Sequence, residues 1–225
     1  MKKKDYLDVV YDDNAVPFTS YPNKLTRHLK SIFDIKQNAK ILDIGCGRGE
    51  FVNGFINCGL DGYATDNSEA IKKFYPKIPF KKTNLENQKL PYKKNTFDIV
   101  FSKSVIEHLY YPEKLVEEIY RVLKPGGKVI TMCPDWKYNY KIYFEDYTHR
   151  TPFMDTSLKD IFLIHDFDHV KVTKFRQLPI VWKFKFLIIF SELTRYFFPS
   201  ILKKFKWVKF SKEIMLLAYA KKPNK

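Results

Sequence analysis

The residues able to do chemistry gather in three places. The first is Ile41-Leu42-Asp43-Ile44-Gly45-Cys46-Gly47-Arg48-Gly49-Glu50-Phe51, an apolar run broken by three alternating glycines and followed by helix-forming residues. Glycine tolerates positive φ and lets a ligand approach the backbone closely, so this turn suits wrapping a ligand. It is not the dinucleotide fingerprint, because Glu50 stands where G-x-G-x-x-G needs its last glycine. No Gly-Lys-Ser/Thr follows, which excludes a Walker loop. The second place is Ser102–Leu109, where His108 follows Glu107. The third is Glu145–Phe153, which holds Asp146 and His149 three residues apart. Imidazoles titrate near neutrality and serve as general bases, and a carboxylate beside one fixes its tautomer. That gives His108 and an Asp146–His149 pair as candidates. Each also has a purely structural reading, His108 as a brace for its loop and Asp146 and His149 as loop hydrogen-bond partners. No magnesium-type carboxylate cluster can be assembled from these spacings, and no metal site is expected.

These residues need a scaffold. Residues 39–133 alternate short β-like runs with helical ones: Lys40–Ile44, Gly62–Thr65, Phe80–Thr83, Phe97–Ser102 and Lys128–Cys133 read as strands. Pro112–Leu123 places Leu115, Ile119, Val122 and Leu123 on one helical face behind a proline that suits a helix start. Such alternation predicts βαβ units, right-handed crossovers and a parallel sheet. Pro22–Phe33 reads as a helix ahead of the sheet and Thr156–Ile164 as one after it. His169–Phe175 and Glu213–Tyr219 read as two late strands. The candidate bases then lie beyond the fourth and fifth strands, at the carboxyl edge where open α/β sheets bind ligands.

Composition sets outer bounds. The chain has 225 residues, is 45% hydrophobic and is 29% charged, which excludes a wholly disordered chain, a collagen or a coiled-coil rod. One domain over residues 1–225 is expected. Cys46, Cys58 and Cys133 form no CxxC pair, so neither a disulfide framework nor a structural zinc site is indicated, and a reducing cytoplasm fits best. Met1–Val10 is Lys-rich without an apolar core after it, unlike a signal peptide. Phe186–Phe190, an apolar stretch of five residues, is far short of the ~18 needed to span a bilayer. The net charge is +15, and Lys171–Lys225 carries 14 Lys and Arg against two acids, so +12 of the excess lies there. Such a tail suits an anionic partner, or reflects a Lys-rich style with a solvated face.

The glycine turn, with Asp43 before it, resembles motif I of the class I S-adenosylmethionine-dependent methyltransferases. Four further segments resemble that family in order: Asp66-Asn67 after the second strand, Asn84-Leu85-Glu86 with Leu90–Val100, Ser102–Leu109, and Arg121–Gly127. The resemblance covers roughly residues 20–175 and points to the small-molecule branch. It implies a Rossmann-like seven-stranded sheet, mostly parallel with an antiparallel last strand, and helices on both faces. It implies S-adenosyl-L-methionine as cofactor, with Gly45, Cys46 and Gly47 forming the turn around its amino-acid end and Asp43 helping to hold its ammonium. Asp66 would grip both ribose hydroxyls, Asn67 would lie beside the adenine, and Asn84 and the Leu85 amide would meet the adenine edge. In this family an Asp is usual where Asn84 stands. Ser102 would close the site after the fourth strand. Taken alone, Asp43 is also consistent with a plain strand-end acid and Asp66 with a helix N-cap. Glu145–Phe153 looks like the Asp-x-Thr-His-x-x-x-Phe stretch of methyltransferases in polysaccharide and secondary-metabolite pathways.

The expectation is therefore O-methylation of a small-molecule, sugar or lipid-linked glycan acceptor. The alternatives are a quinone or other lipid acceptor, or a non-catalytic cofactor-binding protein at a membrane surface. Residues 176–212 form a basic aromatic insert between the last two strands. Interleaved Lys, Trp and Phe suit a lid or interface, an anionic membrane surface, or single-stranded nucleic acid. No recognised RNA-binding module flanks the sheet, which argues against nucleic acid. A cytoplasmic protein with peripheral contact at the inner membrane face is one expectation of this reading.

Overall fold

A computed structural model describes residues 17–199, 202 and 204–224. Met1–Val10 lies outside the described residues, as do Ser200, Ile201 and Lys203 of the insert. Seven strands form one sheet in the order β3-β2-β1-β4-β5-β7-β6. They are β1 (Lys40–Ile44), β2 (Asp61–Asp66), β3 (Phe80–Lys82), β4 (Phe97–Lys103), β5 (Leu123–Pro134), β6 (Asp168–Phe175) and β7 (Met215–Lys221). β7 runs antiparallel to both neighbours, and the inner pairs are parallel.

The central strands are apolar without interruption because both faces are covered. On β1, Ile41 packs on one side with Leu25 and Leu29 of α1 (Tyr21–Ile32) and Phe55 of α2 (Glu50–Asn57). Its neighbours Leu42 and Ile44 pack on the other, with α4 (Pro112–Val122) and α6 (Asp155–Ile164). Two four-residue helices complete this part of the chain, α3 (Ile71–Phe74) and α5 (Trp136–Asn139). The pleat repeats the sorting on β4, where Ile99 and Phe101 face α1 and α2 while Val100 faces α4; Phe97 joins the α4 side across the register shift that precedes Ile99. Phe101 is fully buried and meets Phe55 edge-on at 5.1 Å. Phe101→Ala is expected to cost about 3–5 kcal/mol in urea unfolding; a loss under ~1 kcal/mol contradicts this packing.

β5 begins at Leu123, before the expected Lys128. Leu123 pairs with Phe97, the register then shifts, and Gly126 sits at φ +76. The chain past β7 fixes this detour: the Gly126 amide donates to the Lys222 carbonyl (2.9 Å), and the Lys222 amide to the Gly127 carbonyl (2.9 Å). β7 begins two residues later than expected, because Glu213 ends a helix.

The basic aromatic insert folds into α7 (Pro179–Lys183), α8 (Leu187–Phe197) and α9 (Lys206–Lys212). Trp182 stacks on His28 of α1 at 4.7 Å, and the Tyr21 hydroxyl donates to Gln177 Oε1 at 3.2 Å. Arg176 pairs with Glu192, and Ser191 donates to Ser211 at 2.9 Å. The outer face leaves Phe186, Ile189, Phe190, Tyr196 and Phe197 each more than half exposed. Among the described residues, no helix is long and apolar enough to cross a membrane.

Candidate active site

A cleft of about 420 Å³ opens at the carboxyl ends of β1, β2 and β4. The chain there diverges from β1 towards β2 on one side and β4 on the other, the switch point at which such sheets bind ligands. Its inner wall is the glycine turn. The Gly45 and Cys46 amides both donate to the Thr65 carbonyl, at 2.8 and 3.2 Å. Gly45 has φ +69, and a Cβ there would lie 2.3 Å from Val105 Cγ2. Gly47 has φ +53, and a Cβ there would meet nothing within 4 Å. The first glycine is thus required by a neighbouring side chain, and the second keeps a wall open.

Asp66 organises the turn from β2. Its Oδ2 accepts from the Gly47 amide and its Oδ1 from the Ser68 amide, both at 2.8 Å. Asp43 does not line the cleft. It is buried behind the turn, and its Oδ2 has no hydrogen-bond partner. Burial, reinforced by the charge of Asp66, pushes its carboxyl well above the usual range. Arg48 and Glu50 add an ion pair at 2.9 Å on the rim, with the Arg48 guanidinium 4.2 Å over the Phe18 ring.

Asn67, Asn84, Leu85 and Glu86 form a second wall. Asn84 Oδ1 accepts from the Glu86 amide at 3.0 Å and keeps one lone pair. Glu86 Oε1 accepts from the Tyr110 amide at 2.9 Å, tying this wall to the loop after β4.

That loop and the segment before α6 make the third wall. Glu107, in the 3₁₀ turn Ile106–His108, is fully buried and accepts through its carbonyl from the Arg150 and Thr151 amides, at 2.8 and 3.0 Å. The two loops are therefore stitched together. Thr148 Oγ1 donates to Asp146 Oδ1 at 2.6 Å. Its single proton is thereby used, so His108 Nδ1, 2.8 Å away, must donate to it. His149 Nδ1 lies 2.6 Å from the Tyr143 carbonyl, which can only accept. Both neutral rings then carry their lone pair on Nε2, and their centroids stand 4.7 Å apart. Burial, and secondarily the neighbouring His149, lowers the His108 pKa to about 4. Burial raises the Glu107 carboxyl to about 8, although nearby backbone amides and the Lys103 ammonium pull the other way. Burial also lowers Lys103, against the pull of Glu107 and Glu50.

The structure corrects two expectations. Ser102 is buried and its hydroxyl lies 3.1 Å from that of Thr131, so it turns away from the cleft. The next residues along, Lys103 and Ser104, line the wall instead. The His149 ring is held through Nδ1 by the Tyr143 carbonyl, and the Asp146 carboxylate instead braces His108 through the Thr148 hydroxyl. His149 lines a smaller cavity of about 170 Å³ that shares Lys103 and Ser104 with the main cleft and reaches Gln177 and Glu213 at the two ends of the insert. Lys103, Ser104 and Thr148 were missed from sequence. For the first two, their place just beyond the fourth strand was the available signal.

A glycine-turn cleft at the β1/β4 switch of a sheet whose penultimate position holds the reversed strand defines a class of cofactor-dependent α/β transferases. A family profile described as "Methyltransferase domain" matches residues 42–131. A protein of Methanocaldococcus jannaschii is 31% identical over 192 residues, 84% of this chain and 81% of the relative. The demethylmenaquinone methyltransferase of Paenarthrobacter aurescens is 28% identical over 160 residues, 63% of this chain and 62% of its own length. This chain thus spans less than two thirds of that enzyme. In fold, a SAM-dependent methyltransferase from Archaeoglobus fulgidus superposes with a TM-score of 0.68 at 20% identity, over 97% of this chain and all of that one. The chain belongs to the class I S-adenosylmethionine-dependent methyltransferases.

Proposed function

We propose that the protein methylates a hydroxyl of a small amphiphilic acceptor, with a sugar or lipid-linked glycan favoured. The cofactor supplies an electrophilic methyl group on a sulfonium sulfur. The residues present fit it. The open face of Gly47 suits an amino-acid end that carries an ammonium group, while Asp43, whose Oδ2 is orphaned, lies behind the turn and out of the cleft. Asp66 suits two ribose hydroxyls, and Asn84 an amino donor. Holding donor and acceptor in line supplies most of the rate. At the acceptor end, the Nε2 lone pairs of His108 and His149 can take the hydroxyl proton. The observation that carries the reading is the meeting of two walls in one cleft, the glycine turn with Asp66 and the His108–Thr148–Asp146 chain.

The insert supports an amphiphilic acceptor. Its ends line the cavity beside His149, and its outer face pairs exposed Phe186, Phe190 and Phe197 with Lys183, Lys185, Lys204 and Lys206. Exposed rings and exposed lysines in one segment suit the headgroup region of an anionic bilayer. A second reading, a quinone or other lipid acceptor, draws on the demethylmenaquinone methyltransferase relative.

The test combines methyl-labelled cofactor with phosphatidylglycerol vesicles carrying polyprenyl-linked saccharides or quinones. Label is expected as a methyl ether on the saccharide; label on the quinone alone selects the second reading. The protein is expected to sediment with these vesicles at low salt and less at high salt. Replacing Phe186, Phe190 and Phe197 by Ser should weaken sedimentation at every salt concentration. No vesicle binding removes the membrane surface from the proposal.

A further inference from the structure

One cluster beside the acceptor cavity holds more than proton transfer requires. Each of Glu107, His108 and His149 offers a ligand atom within 4.8 Å of the other two. Neither Glu107 oxygen has a hydrogen-bond partner, although the side chain is fully buried. A carboxyl so placed either keeps its proton or, once ionised, needs a cation beside it. Lys103 lines both cavities, which the buried Glu107 does not, and it makes no hydrogen bond to the Glu107 carboxyl.

The surroundings are those of metal ligands. A histidine that binds a metal characteristically donates its other ring N–H to a carbonyl or carboxylate, which fixes the tautomer and the ring plane. His149 donates Nδ1–H to the Tyr143 carbonyl, and His108 donates to Thr148, which passes the bond to Asp146. That leaves the Nε2 lone pair of each ring as the atom able to bind an ion. The Arg150 and Thr151 amides clamp the Glu107 carbonyl and so fix His149 beside the Glu107–His108 turn.

We propose that Glu107, His108 and His149 form a binding site for one divalent transition-metal cation at the acceptor end of the cleft. Two imidazoles and one carboxylate suit manganese, iron, cobalt or zinc, whereas magnesium and calcium prefer all-oxygen sets. The existence of the site is independent of the reaction proposed above; its role rests on that reading. With the ion bound, the two imidazoles act as ligands in place of bases: an acceptor hydroxyl ligated to the ion becomes more acidic and loses its proton to water. The oxygen then forms its bond to the methyl carbon as the carbon–sulfur bond breaks and its electron pair returns to sulfur. Sequence gave no hint of this site, because His149 stands in a loop remote from Glu107-His108.

The full chain, stripped with chelator, is titrated with Mn²⁺ and free ion is followed by electron paramagnetic resonance, a probe that the three thiols disturb little. One ion per chain is expected at micromolar concentration. Binding should fall by at least about tenfold in E107Q and H149A. It should also fall in T148V, which keeps all three ligands but cuts the link to Asp146. H165A/H169A, which removes two histidines outside the cluster, should bind as the parent does. Calorimetry with S-adenosylhomocysteine reports whether each variant is folded. Wild-type binding no tighter than that of E107Q, or stoichiometric binding that persists in folded H149A, overturns the site. S-Adenosylhomocysteine binding and methyl transfer without any bound ion would overturn the ion's catalytic role and leave the proposed reaction standing. An ion bound by a chain that takes no cofactor would do the reverse.

Discussion

Asp66→Ala is expected to weaken S-adenosylhomocysteine binding at least about tenfold by calorimetry. A hydrogen bond to a charged group contributes about 1.5–3 kcal/mol, and 1.4 kcal/mol is tenfold in affinity. Two such bonds to ribose would be lost. The carboxylate also holds the Gly47 and Ser68 amides at 2.8 Å, so the variant releases the turn that wraps the other end of the ligand. Asp66→Asn separates the two effects. Its amide oxygen can still accept one backbone N–H, but its NH₂ faces the other donor, so an intermediate affinity is expected. Unchanged affinity in Asp66→Ala would remove the ribose role.

Gly45→Ala is expected to destabilise the protein by about 2–5 kcal/mol in thermal or urea unfolding. Holding a non-glycine residue at positive φ costs about 1–2 kcal/mol, and overpacking costs about 1–3 kcal/mol more. The second contribution arises because the new methyl would lie 2.3 Å from Val105 Cγ2. Gly47→Ala provides the contrast, since its methyl would meet nothing within 4 Å and only backbone strain remains. The two variants should differ by about the overpacking share, and adding Val105→Ala to Gly45→Ala should return part of it. Equal stability of the two single variants would contradict the contact. Val105 immediately precedes the 3₁₀ turn of Glu107 and His108, so methyl transfer should suffer in Gly45→Ala beyond any change in cofactor affinity.

The sheet was legible because its inner strands are apolar on both faces and bounded by turn residues. Lys40–Ile44 is the observed β1, and Pro112–Leu123 ends as a helix one residue early. Asp66 could be placed for the same reason: a strand end next to a switch point has one orientation. Where reading failed, tertiary pairing or loop conformation decided. β5 extends back to Leu123 because Phe97 pairs with it, and β7 starts at Met215 because Glu213 is held at a helix end. In the loop before α6, no periodicity tells which side chain meets which. Asp146 and His149 were near in sequence, yet Thr148 intervenes and carries the carboxylate's influence to His108, a residue from another strand's end.

Phe175 and Met215 lie opposite each other on adjoining strands, so the whole excursion between them leaves and re-enters the sheet at one doorway. Closing such a detour depends only weakly on its length. Under the function proposed above, a homologous stretch of different size grafted at that doorway is expected to change acceptor preference while the glycine turn and Asp66 stay untouched.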